Sequence, residues 1–184
     1  KPTYIKPQPH FNCGTHITNW DTSNVTNMSN LFSKIYALED EENDIAPDND
    51  YRHDAVKYFN SRLKWNTENV TNMEHMFYNC EIYNQPVLFD TKNVTNMHGM
   101  FERCNYFDKP VRFDTSQVKN METMFSECKK FNQPVKFDTS QVTNMRDMFS
   151  RCYTLNQPVK FNTSRVTDMR GMFQYMEDFN QPVN

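Results

Sequence analysis

The chain has 184 residues, of which 37% are hydrophobic and 14% aromatic, and its formal net charge is −3. This length is enough for one domain with a substantial core. Its three glycines are too few for a glycine-rich phosphate loop or a dinucleotide fingerprint, and a slightly acidic chain lacks the basic footprint of a nucleic-acid binder. No apolar run approaches the ~18 residues that a membrane span needs, so we expect neither a nucleic-acid partner nor membrane insertion.

The first sixteen residues do not share the pattern that fills the rest of the chain. They are irregular and contain Pro2, Pro7 and Pro9. Stacked repeats need a cover at an open end. We therefore predict that residues 1–16 form an N-terminal cap, and that residues 17–184 form a single domain.

A 24-residue repeat runs through this domain. Five units align on a valine column, and each has Met three residues after the Val and then a Met-Phe pair. The valines are Val70, Val94, Val118, Val142 and Val166. An earlier unit is recognisable by Trp20, Val25, Met28 and Phe32. A fixed period of this length indicates units that stack to bury one continuous core.

An acidic segment separates the first unit from the others. Val25 precedes Val70 by 45 residues, which is one period plus 21. The extra residues, placed at about 37–58, are acidic, contain Pro47 and show no hydrophobic period. They predict a surface loop inserted into the first unit.

Each unit is predicted to contain short strands and a short helical segment. Val135 and Phe137 alternate with Lys136, which is the period of a strand with one buried face, and Asp138 begins a polar corner. The following QVTNM suits a second short strand, whereas MRDMFSRC spaces apolar residues as one or two helical turns do. A continuous helix also fits these spacings, but the compact period favours the mixed unit. The sequence thus predicts a right-handed solenoid of about six coils with short parallel strands.

The apolar columns predict the core. The residues expected to point inward are Val70, Met73, Phe77, Cys80, Val94, Phe101, Cys104, Phe125, Cys128, Phe137, Phe149 and Cys152. Cysteines that lie 24 residues apart match no C-x-x-C ligand pair. We therefore expect buried, reduced thiols, with no metal ion and no other cofactor.

The five histidines carry no recognisable catalytic motif. None lies in an H-E-x-x-H or triad-like context, and His75 and His98 fall one position apart in the repeat, so we expect them not to form a ladder. No serine lies in a nucleophile elbow. We expect no catalytic residue and no enzyme. An enzyme would need a pocket lined by His53, Asp54 and His75, with the insertion as a flap.

One column of basic residues is a candidate for binding a protein partner. It lies on the outward side of the predicted strand and consists of Lys64, Arg112, Lys136 and Lys160. Asp114 and Asp138 lie two residues further along the same face, where they can offset repulsion within the column. The column is then either a solvated face or the place where an acidic partner docks.

The end of the stack is the second candidate. Asn184 lies partway through a coil, and repeat proteins normally cover the open edge and apolar cross-section of a terminal coil. We expect Phe173, Phe179 and Val183 to contact further chain or a second subunit.

A resemblance to a known family supports this interpretation. The string FNQPVKFDTSQVTNMRDMFSRC, varied through every unit, resembles the BspA-like bacterial surface repeat, which is also described in mycoplasma lipoproteins as a domain of unknown function. The run V-T-x-M-x-x-M-F-x-x-C-x-x-F is similar to the V-T-x-I…A-F-x-x-C-x-x-L run of BspA-type leucine-rich repeats. The resemblance spans about residues 11–184 and implies an α/β, leucine-rich-repeat-like solenoid without catalytic residues.

The residues and the resemblance together predict a non-enzymatic protein-interaction or structural module. The resemblance implies an adhesin-type surface protein or a subunit of a large assembly, with a giant-virus virion or minor capsid component as the alternative. Its partner would be a protein of the assembly or of a host surface. The resemblance favours a cell-surface, extracellular or virion location, whereas reduced cysteines leave an intracellular origin open.

Overall fold

A computed structural model describes residues 17–32 and 56–183 of the protein. The predicted cap at residues 1–16 and most of the predicted insertion therefore lie outside the described residues. We number the repeat units 1 to 6 by their valines, in the order Val25, Val70, Val94, Val118, Val142 and Val166.

Regular secondary structure is sparse in the described ranges. A short 3-10 helix spans Ile17–Asn19. Successive units are joined by isolated parallel bridges, most of them two residues after the valine column. The bridges are Asn27–Asn72, Asn72–Asn96, Asn96–Asn120, Asn120–Asn144, Asn144–Asp168 and Val159–Val183. Each unit therefore lies beside the next with equivalent positions aligned.

Backbone amides after each bridge alternate between two kinds of hydrogen bond. The N–H of Met73 donates to the carbonyl of Asn96 in the next unit at 3.0 Å, and the N–H of Phe77 does so to Met100 at 2.9 Å. The N–H of Met76, which lies between them, donates within its own unit to the carbonyl of Met73 at 3.2 Å. The same alternation recurs in units 3, 4 and 5.

This alternation explains why the segment predicted as helical turns has a different conformation. An α-helix requires each N–H to donate to the carbonyl four residues earlier. Here every second N–H donates to the next unit. Of the others, the first bonds the side chain two residues earlier, as Glu74 does with Asn72, and the rest close tight turns onto the carbonyl three residues earlier. The spacing of three and four residues in MRDMFSRC thus reflects successive turns.

The turns require left-handed backbone at two positions in each of units 2 to 6. In unit 4 these are Thr123 and Glu127, with φ of 49° and 60°. Units 3 and 6 place glycine at the first position, where Gly99 and Gly171 have φ of 57° and 65°. A residue with a side chain pays roughly 1 kcal/mol or more for this conformation, so the stacking must offset that cost in the other units.

Polar side chains close the corners. In unit 5, Asp138 Oδ1 accepts the N–H of Ser140 at 2.9 Å and Asn144 Oδ1 accepts the N–H of Arg146 at 3.0 Å. Such bonds to the amide two residues on are Asx turns, and the turn at Asp138 lies where the sequence predicts a corner. Short oxygen-bearing side chains recur in these columns because the backbone turns at the same place in every unit.

Three aromatic columns run through the core. In the central column, the rings of Phe77, Phe101, Phe125 and Phe149 stack with centroid separations of 5.3, 5.5 and 5.8 Å. The columns on either side contain pairs such as Tyr83 and Phe107 at 6.1 Å and Phe137 and Phe161 at 6.5 Å. Every residue that the sequence placed in the core is at most 7% exposed.

The repeat register resumes slightly before the predicted end of the insertion. Val56 is 1% exposed and lies 24 residues before Cys80, in the same column. Phe59 is 3% exposed and stacks on Phe32 at 4.2 Å and on Tyr83 at 5.7 Å. Val56 and Phe59 therefore complete unit 1, and the boundary at about residue 58 moves to before Val56.

Truncation of a core ring tests the inward orientation of the columns. Phe125→Ala should lower the free energy of unfolding by about 3–5 kcal/mol, because it removes a fully buried aromatic ring from the central stack. Lys136→Ala, on the exposed surface, should change it by less than about 1 kcal/mol. Urea denaturation of both variants provides the measurement, and similar losses would contradict the assignment of faces.

A pair of substitutions at Thr123 tests the left-handed turn. Thr123→Gly should be more stable than Thr123→Ala by about 1 kcal/mol, because only glycine adopts this φ without a steric cost. At Thr143, which has no left-handed φ, the order should reverse. Chemical denaturation of the four variants measures both differences, and the same order at the two positions would refute the turn geometry.

Candidate functional site

The structure brings together two histidines that the sequence placed out of register. The backbone N–H of His75 donates to the carbonyl of His98 at 2.7 Å, and the ring centroids are 4.4 Å apart. Our expectation that these residues stay apart assumed that each residue lies beside the one 24 positions later. After the bridge, the bonds donated to the next unit instead join each residue to the one 23 positions later, which is the offset of this pair.

Gly99 provides the space that the His75 ring occupies. A Cβ atom at residue 99 would lie 2.1 Å from His75 Nδ1, well inside van der Waals contact. In unit 4 the equivalent residue is Thr123, whose side chain donates a hydrogen bond to Glu102 Oε2 at 3.0 Å. The close approach of the ring to the backbone is thus made possible by glycine at this one position.

Two glutamates flank the histidines, and we call Glu74, His75, His98 and Glu102 the histidine–glutamate cluster. Glu74 Oε1 lies 3.5 Å from His98 Nδ1, and Glu102 Oε2 lies 3.7 Å from His75 Nδ1. Both separations exceed the range of a good hydrogen bond. His75 Nδ1 is buried and has no hydrogen-bond partner. The four side chains are about one-fifth to one-third exposed.

Burial disfavours the charged forms of His75 and Glu102. It lowers the pKa of His75, which the neighbouring His98 lowers further and Glu74 partly restores. Burial also raises the pKa of Glu102, against the hydrogen bond from Thr123. Desolvation disfavours the charged form of each group, so it weakens the ionic attraction between His75 and Glu102.

The cysteine column is part of the core. Cys80, Cys104, Cys128 and Cys152 are buried thiols that form no disulfide within the described ranges. The thiols of Cys104 and Cys128 donate to the carbonyls of Phe77 and Phe101 in the preceding unit, at 3.1 and 3.0 Å. Burial raises the pKa of both thiols well above the ordinary value. They remain protonated at neutral pH and are poor nucleophiles and poor metal ligands.

The basic column is exposed at all four of its positions, Lys64, Arg112, Lys136 and Lys160. In unit 3 the same position is held by Leu88, which is 65% exposed. Within the described ranges no ion pair joins this column to Asp114 or Asp138. Those aspartates instead accept hydrogen bonds from Ser116 and Ser140, which lower their pKa.

Unit 6 is the most exposed part of the described stack. Phe173 stacks on Phe149 at 6.1 Å and on Phe179 at 5.2 Å, and both unit 6 rings are partly buried. Val183 is bridged to Val159 but is 55% exposed. Met169 and Tyr175 are also exposed, at 44% and 61%. Met169 and Val183 are thus exposed, whereas the preceding residues of their columns, Met145 and Val159, are buried.

The pocket that an enzyme would need is only partly within the described residues. His53 and Asp54 lie outside them, and His75 faces His98 and Glu102. A shallow depression lies instead at the other end of the stack, where Arg151 covers the ring of Tyr175 at 5.3 Å and Met176 and Glu177 line the wall. None of the helices in the described ranges has the length and apolarity to cross a membrane.

A comparison with known protein families identifies the family of this chain. Three segments, residues 5–49, 50–136 and 111–184, match the family described as "Mycoplasma protein of unknown function, DUF285", and together they span nearly the whole sequence. The chain belongs to the DUF285 family. No curated protein and no solved structure matches it. This match confirms the predicted resemblance to a mycoplasma domain of unknown function.

The DUF285 matches agree with the repetitive organisation of the chain. The second and third segments overlap at residues 111–136, a stretch slightly longer than one 24-residue unit. A family pattern that aligns in shifted positions is expected when consecutive units are alike. The histidine–glutamate cluster lies within the second DUF285 segment.

Sequence reasoning missed the cluster because its residues depart from the columns that define the repeat. The column of Glu74 and His98 continues as Glu122, Arg146 and Arg170. The column of His75 and Gly99 continues as Thr123, Asp147 and Gly171. A comparison of each unit with the next at an offset of 23 residues would have placed His75 beside His98.

Chemical labelling tests the state of the cysteines. Cys80, Cys104, Cys128 and Cys152 should resist N-ethylmaleimide at pH 8 in the native protein, because all four are buried. Burial also raises the thiol pKa of Cys104, Cys128 and Cys152. All four should react in urea. Peptide mass mapping reads both states, and rapid labelling of Cys128 without urea, or a mass lower by two hydrogens per cysteine pair, would contradict the assignment.

Proposed function

We propose that this protein is a non-enzymatic protein-interaction or structural module, built as a solenoid of 24-residue coils. It would act as an adhesin-type surface protein or as a subunit of a large assembly, a virion included. The BspA-type leucine-rich-repeat relationship implied by the sequence belongs to this proposal. The proposal rests on the exposed basic column, which lies on a stack whose interior is filled by packed side chains.

The charges of the basic column are arranged in a row. Arg112, Lys136 and Lys160 occupy the same position of units 4, 5 and 6, and parallel neighbours lie about 4.8 Å apart. Like charges at this separation repel one another. Because the described aspartates do not pair with them, an acidic partner segment that runs along the stack would relieve this repulsion.

A second contact surface is proposed at unit 6. Its exposed apolar residues, Met169 and Tyr175, lie close in sequence to the partly buried Phe173 and Phe179, and the exposed Val183 follows as the bridged neighbour of Val159. Contiguous exposed apolar groups favour contact with another protein surface. We propose that a further protein segment packs here.

Charge reversal tests the basic column. The triple variant Arg112→Glu, Lys136→Glu and Lys160→Glu should bind immobilised poly-glutamate about tenfold or more weakly than the unmodified chain, since it places like charges against the probe. The control, Lys119→Glu, Lys129→Glu and Lys130→Glu, changes the net charge equally but leaves the column intact. Its binding should fall much less.

Surface plasmon resonance at low and moderate salt supplies the comparison, with circular dichroism as the check of folding. Equal losses in the two variants would show that net charge, and not the column, determines binding. An unmodified chain that does not bind the acidic probe would also argue against the proposal.

A further inference from the structure

Three side chains of units 2 and 3 converge with the chemistry of a metal site. Glu74, His75 and His98 each offer one ligand atom, and these atoms all lie within 4.8 Å of one another. We propose that Glu74, His75 and His98 bind a divalent transition-metal ion of the zinc class, with Glu102 as the adjoining carboxylate. Two imidazoles and a carboxylate form a donor set that zinc uses in proteins.

The separations within the cluster fit a shared ion better than direct hydrogen bonds. Zinc binds nitrogen and oxygen ligands at about 2.0–2.2 Å, so two ligands of one tetrahedral ion lie roughly 3.4 Å apart. The Glu74–His98 and Glu102–His75 separations are 3.5 and 3.7 Å. Both pairs are too long for good hydrogen bonds, and the separation of the two proposed ligands Glu74 and His98 is close to the spacing of ligands around one ion.

A second, independent observation concerns His75 Nδ1. This atom is buried and has no hydrogen-bond partner, although buried polar atoms are nearly always paired. The ring reaches its position because residue 99 is glycine, since a Cβ there would lie 2.1 Å from the same nitrogen. The glycine thus leaves room for the His75 ring, whose buried Nδ1 has no hydrogen-bond partner.

The next units show how the same columns behave without histidine. Glu122 occupies the column of Glu74, and its neighbour in unit 5 is Arg146, whose guanidinium approaches the carboxylate at 4.0 Å. The positive charge opposite the glutamate is thus supplied by the chain. In units 2 and 3 the equivalent neighbour is His98, and a bound cation would supply that charge instead.

The charges and ligand types predict selectivity. Two carboxylates balance the charge of a divalent ion, and imidazole favours zinc and its neighbours over magnesium and calcium, which prefer oxygen ligands. Because Glu74 and His75 belong to unit 2 and His98 and Glu102 to unit 3, the ion would join two adjacent units. Bound metal should then raise the unfolding temperature, as any ligand specific to the folded state does.

Titration of the full chain with Zn²⁺ by isothermal calorimetry tests the proposal, with Mg²⁺ as the comparison ion. We expect one Zn²⁺ per chain, little or no Mg²⁺ binding and a rise in the unfolding temperature with Zn²⁺ alone. His98→Arg should weaken Zn²⁺ binding by at least about tenfold. Arginine is a suitable replacement because it already occupies this column as Arg146 and Arg170.

A matched control removes the other histidines. The triple variant His10→Gln, His16→Gln and His53→Gln leaves the cluster intact and should bind Zn²⁺ as the unmodified chain does. Glu74→Gln, which nearly preserves side-chain size, should weaken binding and reduce the thermal shift. The proposal is overturned if His98→Arg and Glu74→Gln, shown to be folded, retain full affinity, if the triple variant loses binding, or if Mg²⁺ binds equally well.

Discussion

The backbone hydrogen bonds that each unit donates to the next determine the rest of this structure. They pair alternate residues after the bridge with the following unit, as Phe77 pairs with Met100 and Phe101 with Met124. Because every unit repeats the same bonds, a core side chain stacks on the side chain at the same position of the next unit. A column of aromatic residues can therefore fill the core along the length of the stack. A change in the length of a unit would break the columns unless the extra residues leave the stack between two aligned positions. Phe32 and Val56, on either side of the additional residues, are both buried in register.

The same bonds impose a conformational cost that packing must offset. Amides that are used between units cannot support a helix, so the chain turns through left-handed residues such as Glu127 and Arg151. The turns also leave carbonyls that can accept a second donor. Phe77 O receives the N–H of Cys80 at 3.0 Å and the thiol of Cys104 at 3.1 Å. A small residue with a weak donor suits this position, which accounts for cysteine in the column without any redox role.

The sequence predicts the core well and the turns poorly. A period of 24 residues identifies the columns, and burial of Val94, Met73 and Phe149 follows from the need of each unit to cover its neighbour. The turn conformation does not follow, because apolar residues three and four apart suit a helix and a series of tight turns equally well. The contact of His75 with His98 depends on the slant of the bonds between units, which no repeat pattern displays. The buried hydroxyl of Tyr83, which has no hydrogen-bond partner, is equally invisible in a column of aromatic residues.

Residues that depart from their column show where along the stack a surface begins or ends, which recurring residues cannot show. A residue that recurs in every unit is explained by the stack itself, whatever the protein does. Leu88 interrupts the basic column with an exposed apolar side chain, so the uninterrupted row begins at Arg112, and an acidic partner would engage units 4 to 6 rather than the whole stack. His98 interrupts a column of glutamate and arginine at the one place where glycine admits a second imidazole. The uninterrupted part of the basic column and the histidine–glutamate cluster thus lie in different units. The positions at which the repeats differ therefore make one end of the stack chemically distinct from the other.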